Sequence, residues 1–278
     1  MSNRTTKCRA IRPGLTSALL AIAVMSLLTA PAVNAIVNGQ EDGDGHPYVG
    51  MVFQTGSDAA CTGSLVSPTV FVTAGHCIDN FIINGTGATD VQIGFAPDER
   101  DYAADVSGTP HLYPGFCSND LNYHGCPLHG FPKVRFETGD VGVVVLDHPM
   151  AMSRYAQLPT ADLVRTISDG TPITNVGYGL AAAPGEADFG IRHKAPGLTL
   201  NGGPLDDEFL KVTGNPSHDM GGMCAGDSGG PVLLGTTDIL LATHSFNYSS
   251  LGACTGPDYS FRLDKPDVLA WITGFMAG

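Results

Sequence analysis

The chain has 278 residues, 43% of them hydrophobic, and a formal charge of −13. That apolar content excludes a disordered chain and suffices for one large domain or two small ones. The negative balance argues against nucleic acid or an anionic membrane surface as partner.

Residues 1–35 read as an export signal, which places the protein outside the cell. Arg4, Lys7, Arg9 and Arg12 precede an apolar run from Leu15 to Leu28 that is short for a bilayer span and ends at small residues. Cleavage after Ala35 would start the mature chain, residues 36–278, at Ile36. Cleavage after Ala32 would leave a propeptide, residues 33–35, for a second protease. The signal holds four of the fourteen Lys and Arg and none of the 27 acids, so export would leave ten cations against 27 acids, a charge of −17. Cys8 leaves as well. Cys61, Cys77, Cys117, Cys126, Cys224 and Cys254 remain, and an even set in an exported chain predicts three disulfides.

Along residues 36–278 there is no repeat and no helical periodicity before the last twenty or so residues. Short β-type runs recur at Val49–Phe53, Val70–Thr73, Phe81–Ile83, Val91–Phe95, Val141–Leu146, Ile173–Val176, Val232–Leu234 and Ile239–Thr243, punctuated by Gly, Pro, Asn and Asp. This predicts an all-β sandwich or barrel. One helix is expected at the end: Asp264 as its cap, Pro266 in its first turn, and Val268, Trp271, Ile272 and Phe275 on one face packed against a barrel.

Chemistry concentrates in Cys224-Ala225-Gly226-Asp227-Ser228-Gly229-Gly230-Pro231. A serine among three glycines is poor material for a helix or strand, but suits a nucleophile that needs an open approach and a turn aiming main-chain N–H groups at one spot. A serine also needs a base. His76, in Thr73-Ala74-Gly75-His76-Cys77 just after a β run, is the strongest of nine histidines. An acid that orients the imidazole works best away from water, and Asp140 precedes the apolar Val141-Gly142-Val143-Val144-Val145-Leu146. Asp147, at the far end of that run, is the weaker candidate.

These motifs, in the order His, Asp, Ser, resemble the trypsin and chymotrypsin family of serine endopeptidases. Ile36-Val37-Asn38-Gly39 is similar to the family's mature N-terminus, Cys61-Thr62-Gly63-Ser64-Leu65-Val66 to the strand leading toward its histidine, and Val176-Gly177-Tyr178-Gly179 to its Gly-aromatic-Gly strand. The resemblance spans 36–278 and implies two packed six-stranded antiparallel β-barrels with a C-terminal α-helix. The cleft between them would hold His76, Asp140 and Ser228 as the triad, with the N–H groups of Gly226 and Ser228 as the oxyanion hole. It implies an ion pair of the new Ile36 ammonium with Asp227, disulfides Cys61–Cys77 and Cys224–Cys254, no metal and no cofactor. It further implies a monomer acting on protein or peptide substrates, with a protein protease inhibitor as another partner.

The remaining Cys117 and Cys126 would close a disulfide in an insertion rich in Pro, Gly and His. His111, His124 and His129 offer zinc ligands there, a reading an oxidising compartment disfavours. The acidic run Asp90, Asp98, Glu99 and Asp101 reads as a solvated face ahead of a calcium loop.

The chain departs from the family at the specificity pocket, taken as Gly222, Met223 and Ser245. Trypsin-like members carry an aspartate six positions before the nucleophile. Here that position is Gly222, so no strong preference for Lys or Arg is expected, and aliphatic, aromatic or small side chains take their place. The pocket-lining Ser-Trp-Gly segment is matched only loosely, by Thr243-His244-Ser245 or Ser245-Phe246-Asn247. Two rivals follow. An α/β-hydrolase needs an acid and then a histidine after the serine, and only fifty residues follow Ser228, with His244 their sole histidine. A catalytically silent binding protein of the same fold would have no need of the three catalytic residues together.

Overall fold

The computed structural model describes residues 36, 38–54, 60–80, 90–117, 138–180, 189–202, 207–214, 220–247, 254 and 256–277. The export signal, the Phe81–Ile83 run and the segment holding Cys126, His124 and His129 lie outside them.

Six strands close into an antiparallel barrel in the order β2–β3–β4–β7–β6–β5. They are β2 (Val49–Phe53), β3 (Ala60–Ser67), β4 (Val70–Thr73), β5 (Val91–Gly94), β6 (Val106–Leu112) and β7 (Gly142–Leu146). Val52, Leu65, Phe71, Val72, Ile93 and Val143 of these strands belong to one buried core. β2 and β4 are buried at every position, which is why they read as continuous apolar runs.

The second sheet runs β1–β9–β8–β11–β12–β13–β10. It comprises β1 (Gln40–Glu41), β8 (Pro172–Gly177), β9 (His193–Thr199), β10 (Phe209–Val212), β11 (Pro231–Leu234), β12 (Leu240–Asn247) and β13 (Asp258–Arg262). A bridge of Leu200 with Val212, flanked by Asn201 N–H to Lys211 O and Thr213 N–H to Thr199 O (both 2.9 Å), ties β10 back to the end of β9. Apart from β1, this ring is the second six-stranded barrel.

α1 (Gly75–Asp79) is a short helix following β4, and α2 (Pro266–Gly274) ends the fold. The expected face of α2 is in place: Val268 and Ile272 are fully buried, and Trp271 packs edge-on against Tyr113 of the first barrel, centroids 5.3 Å apart. The expected cap is not. Lys265 occupies the N-cap position, because the Asp264 carboxylate is drawn inward by Arg262 (2.9 Å from both Nε and Nη2) and by the N–H of Val164 (2.8 Å). β6, β9 and β13 escape a reading by β-propensity because Gly108, Pro110, Pro196 and Gly197 interrupt two of them and β13 begins on a buried aspartate.

Arg192, at the threshold of β9, fastens the two barrels together. Only 1% exposed, it donates from Nη1 to Val49 O and Phe95 O (both 2.9 Å) and from Nη2 to Gly43 O (2.5 Å), and pairs through Nε with Asp42 (3.3 Å). Removing one partner of a buried ion pair typically costs about 3 to 5 kcal/mol. Arg192→Met should therefore lower the unfolding free energy by about that much in a denaturant titration of the chain.

Candidate active site

β4 ends at Thr73, and the chain turns through Ala74 into α1, which presents His76. Asp140 lies on the approach to β7, the strand beside β4 in the barrel. This adjacency puts Asp140 Oδ2 at 2.9 Å and Oδ1 at 3.1 Å from His76 Nδ1, with the His76 main-chain N–H donating to Oδ1 at 2.8 Å. The Ser245 hydroxyl of β12 in the other barrel donates to Oδ2. Burial pushes the Asp140 carboxyl up, but the His76 charge and the bonds from His76 and Ser245 outweigh it and hold the group below the usual carboxylate range. An ionised Asp140 fixes the proton of neutral His76 on Nδ1 and leaves Nε2 as the acceptor.

Ser228 lies on the turn between Asp227 and Gly230, secured from both sides. Thr62 N–H of β3 donates to Ser228 O (2.8 Å), and Thr62 Oγ1 donates to Gly226 O (2.8 Å). On the other flank Gly229 N–H donates to His244 O and Gly230 N–H to Asp227 O (both 2.8 Å). The glycines are needed for geometry. Gly226 has φ +95° and a Cβ there would strike Phe189 and Gly179, while Gly229 has φ +80° and its Cβ would meet Thr73 Oγ1 and Thr62 O. Among the described residues the N–H groups of Gly226 and Ser228 have no protein acceptor. They are the two that the sequence assigned to an oxyanion.

Cys61 of β3 and Cys77 of α1 are disulfide-bonded, as are Cys224 and Cys254. The first bond pins the residue after His76 to the strand that carries Thr62. Cys117 is also disulfide-bonded, and its expected partner Cys126 lies outside the described residues. Sulfur of Cys61 and Cys77 clusters with His76, but sulfurs joined to each other are not thiolate ligands. Of the acidic run, Asp98 pairs with Arg100 (2.5 Å), while Glu99 is buried and accepts the N–H of Ala96 (2.6 Å).

Asp227 is fully buried and accepts from Gly179 N–H through Oδ1 and Cys224 N–H through Oδ2, both at 2.8 Å. Burial pushes its carboxyl up to about 7 in spite of those two bonds. In this uncleaved chain the Ile36 nitrogen belongs to a peptide bond, and among the described residues no cation pairs with Asp227. Ile36 is itself buried in the second core, and Asn38 Nδ2 donates to Met220 O (3.4 Å), so this part of the chain runs beside the segment leading to Ser228.

The Ser245 bond to Asp140 places Ser245-Phe246-Asn247, of the two candidate segments, next to the His76–Asp140 pair. Asn247 Nδ2 reaches Met223 O at 3.1 Å, and Gly222 and Met223 are both buried. Sequence reasoning missed Thr62 altogether and put Ser245 in the pocket alone; no local pattern marks a hydroxyl whose partner is over a hundred residues away.

Asp140→Asn would replace the acceptor of the His76 ring proton by an amide and favour the wrong tautomer. If His76 is the base that activates Ser228, any peptide hydrolysis by the chain beginning at Ile36 should fall about ten-thousand-fold, with folding retained by circular dichroism.

The family model for Trypsin matches residues 36–272. Brachyurin of Leptuca pugilator is 28% identical over 224 residues, 78% of this chain and 84% of that protein. Among solved structures, HL collagenase superposes with a TM-score of 0.61 at 20% identity, covering 87% of this chain and 99% of that one. Human heparin binding protein gives 0.60 at 20%, covering 87% and 97%, and neuropsin of mouse brain 0.61 at 16%, covering 87% and 100%. With its two barrels and a family match over most of its length, the chain belongs to the trypsin family.

Proposed function

We propose that this protein is an exported serine endopeptidase working through an acyl-enzyme. The observation that carries the reading is the His76–Asp140 pair, buried on its acid side and set against a turn whose Gly226 and Ser228 N–H groups have no other acceptor among the described residues. In this mechanism Ser228 Oγ attacks the scissile carbonyl carbon as its proton passes to His76 Nε2. The oxyanion accepts the two N–H groups, and Asp140 stabilises the imidazolium. Collapse breaks the C–N bond as His76 returns the proton to the departing amine, leaving an ester on Ser228. Water, deprotonated by His76, then attacks that ester and restores the serine. No step requires a metal or cofactor.

Activation follows from Asp227. A buried carboxylate without a cation is a costly arrangement, and an ammonium at Ile36 would relieve it while setting the 222–228 segment. The family match begins at Ile36, which supports this as the mature start, with residues 1–35 as the signal and the tripeptide 33–35 as a propeptide if the signal is cut after Ala32. The substrates are proteins or peptides, the enzyme acts as a monomer, and a protein inhibitor would dock in the same cleft. The binding-only alternative leaves the His76–Asp140 pair and the two unengaged N–H groups without a purpose.

Treating the secreted, processed protein with an organophosphonate should give one adduct, mapped to Ser228 by peptide mass. The adduct should vanish in His76→Ala and in chains retaining Ala35. No adduct from a folded chain beginning at Ile36 would overturn the reading.

A further inference from the structure

We propose that Thr62 is a positioning residue for the oxyanion site: its side-chain hydroxyl, reaching across from the first barrel, keeps the Gly226 N–H on target. This deepens the peptidase reading and rests on it.

A glycine is required at 226 by the φ of +95° and by Phe189 and Gly179, which leave no room for a Cβ. The same freedom is a liability. The N–H that would bind the oxyanion belongs to the peptide between Ala225 and Gly226, and a glycine offers little resistance to rotation of the peptide planes on either side of it. Direction has to come from what those planes bond. Ala225 O accepts the N–H of Leu180 at 2.9 Å, which anchors the first plane. In the second plane Asp227 N–H donates to Cys224 O at 3.0 Å, while Gly226 O accepts Thr62 Oγ1 at 2.8 Å and has no other donor among the described residues.

Thr62 is fully buried, and its single hydroxyl proton has one destination. The N–H of Tyr178 donates to Oγ1 at 3.1 Å, and an N–H can only donate. The hydroxyl proton is left for Gly226 O, which can only accept. Thr62 is itself held on its main chain, where its N–H donates to Ser228 O (2.8 Å) and its carbonyl accepts Thr73 Oγ1 (2.7 Å). The disulfide from the preceding Cys61 to Cys77 adds a covalent tie beside His76. A side chain constrained in this way imposes direction on a glycine instead of following it.

Tyr178, Gly179 and Leu180 thereby address the turn with three successive N–H groups. Leu180 takes Ala225 O, Gly179 takes the Asp227 carboxylate, and Tyr178 reaches Gly226 O through Thr62. If Thr62 served only as acceptor for Tyr178, deleting its hydroxyl would lower stability alone. If it directs Gly226, turnover falls as well, because the displaced N–H is lost where charge develops in the transition state.

The test compares processed enzyme, verified by Ser228 labelling, with Thr62→Val, which removes the hydroxyl at nearly constant volume, and Thr62→Ser, which keeps it. Both kcat and KM are measured on a peptide p-nitroanilide that the wild-type enzyme cleaves. A peptide aldehyde of the same sequence is the second probe, since its hemiacetal with Ser228 puts an oxyanion in the site. In Thr62→Val kcat should fall about ten- to a hundred-fold with KM changed by less than about two-fold, and the aldehyde Ki should rise in proportion to the loss in kcat/KM. Thr62→Ser should stay within about three-fold of wild type. A folded Thr62→Val with wild-type kcat and only a lower urea midpoint, or a Thr62→Ser that loses as much as Thr62→Val, would overturn this proposal and leave the peptidase reading standing. Should valine prevent folding, Thr62→Ala, which lacks the hydroxyl and crowds nothing, is held to the same expectation. A folded wild-type chain beginning at Ile36 with no turnover and no label at Ser228 would overturn both.

Discussion

A carboxylate taken wholly out of water must be given donors in place of the ones it lost, and Asp140 draws its donors from both barrels. His76 offers a main-chain N–H and a ring nitrogen from α1, and Ser245 offers its hydroxyl from β12. His76 supplies the larger part of what holds this buried acid ionised, and Ser245 adds to it from the other barrel. The environment of the His76–Asp140 pair thus draws on both barrels, and the contact that fixes the His76 tautomer is itself held by a hydroxyl from β12.

The same dependence recurs around Ser228. Thr62 belongs to the first barrel, yet its N–H and hydroxyl hold the carbonyls of Ser228 and Gly226, and its Oγ1 accepts the N–H of Tyr178 (3.1 Å). Arg192 reaches the opposite way, from the second sheet into carbonyls of the first. The seam between the barrels is polar where it positions chemistry, with direction supplied by hydrogen bonds that hydrophobic contact lacks. The turn that carries Ser228 is accordingly braced from outside, with the buried Asp227 beneath it.

Legibility in the sequence followed the range of the interactions. Gly226 and Gly229 were readable because positive φ and close approach are demands on single residues. β2, β4 and β7 were readable because strands inside a barrel leave apolar runs. Asp264 misled because Arg262, two residues away on β13, is a stronger partner than a helix end. Ser245 was hidden for a different reason: its contact comes from the fold, which brings β12 against Asp140, and no local spacing encodes that.

The most direct test of the account is the pre-steady-state reaction of processed enzyme with an activated ester substrate. The account predicts a burst of leaving group close to one equivalent per enzyme, with the acyl group recovered on Ser228 and then lost to water. A folded chain beginning at Ile36 that releases leaving group without a burst and carries no acyl group on Ser228 would contradict it.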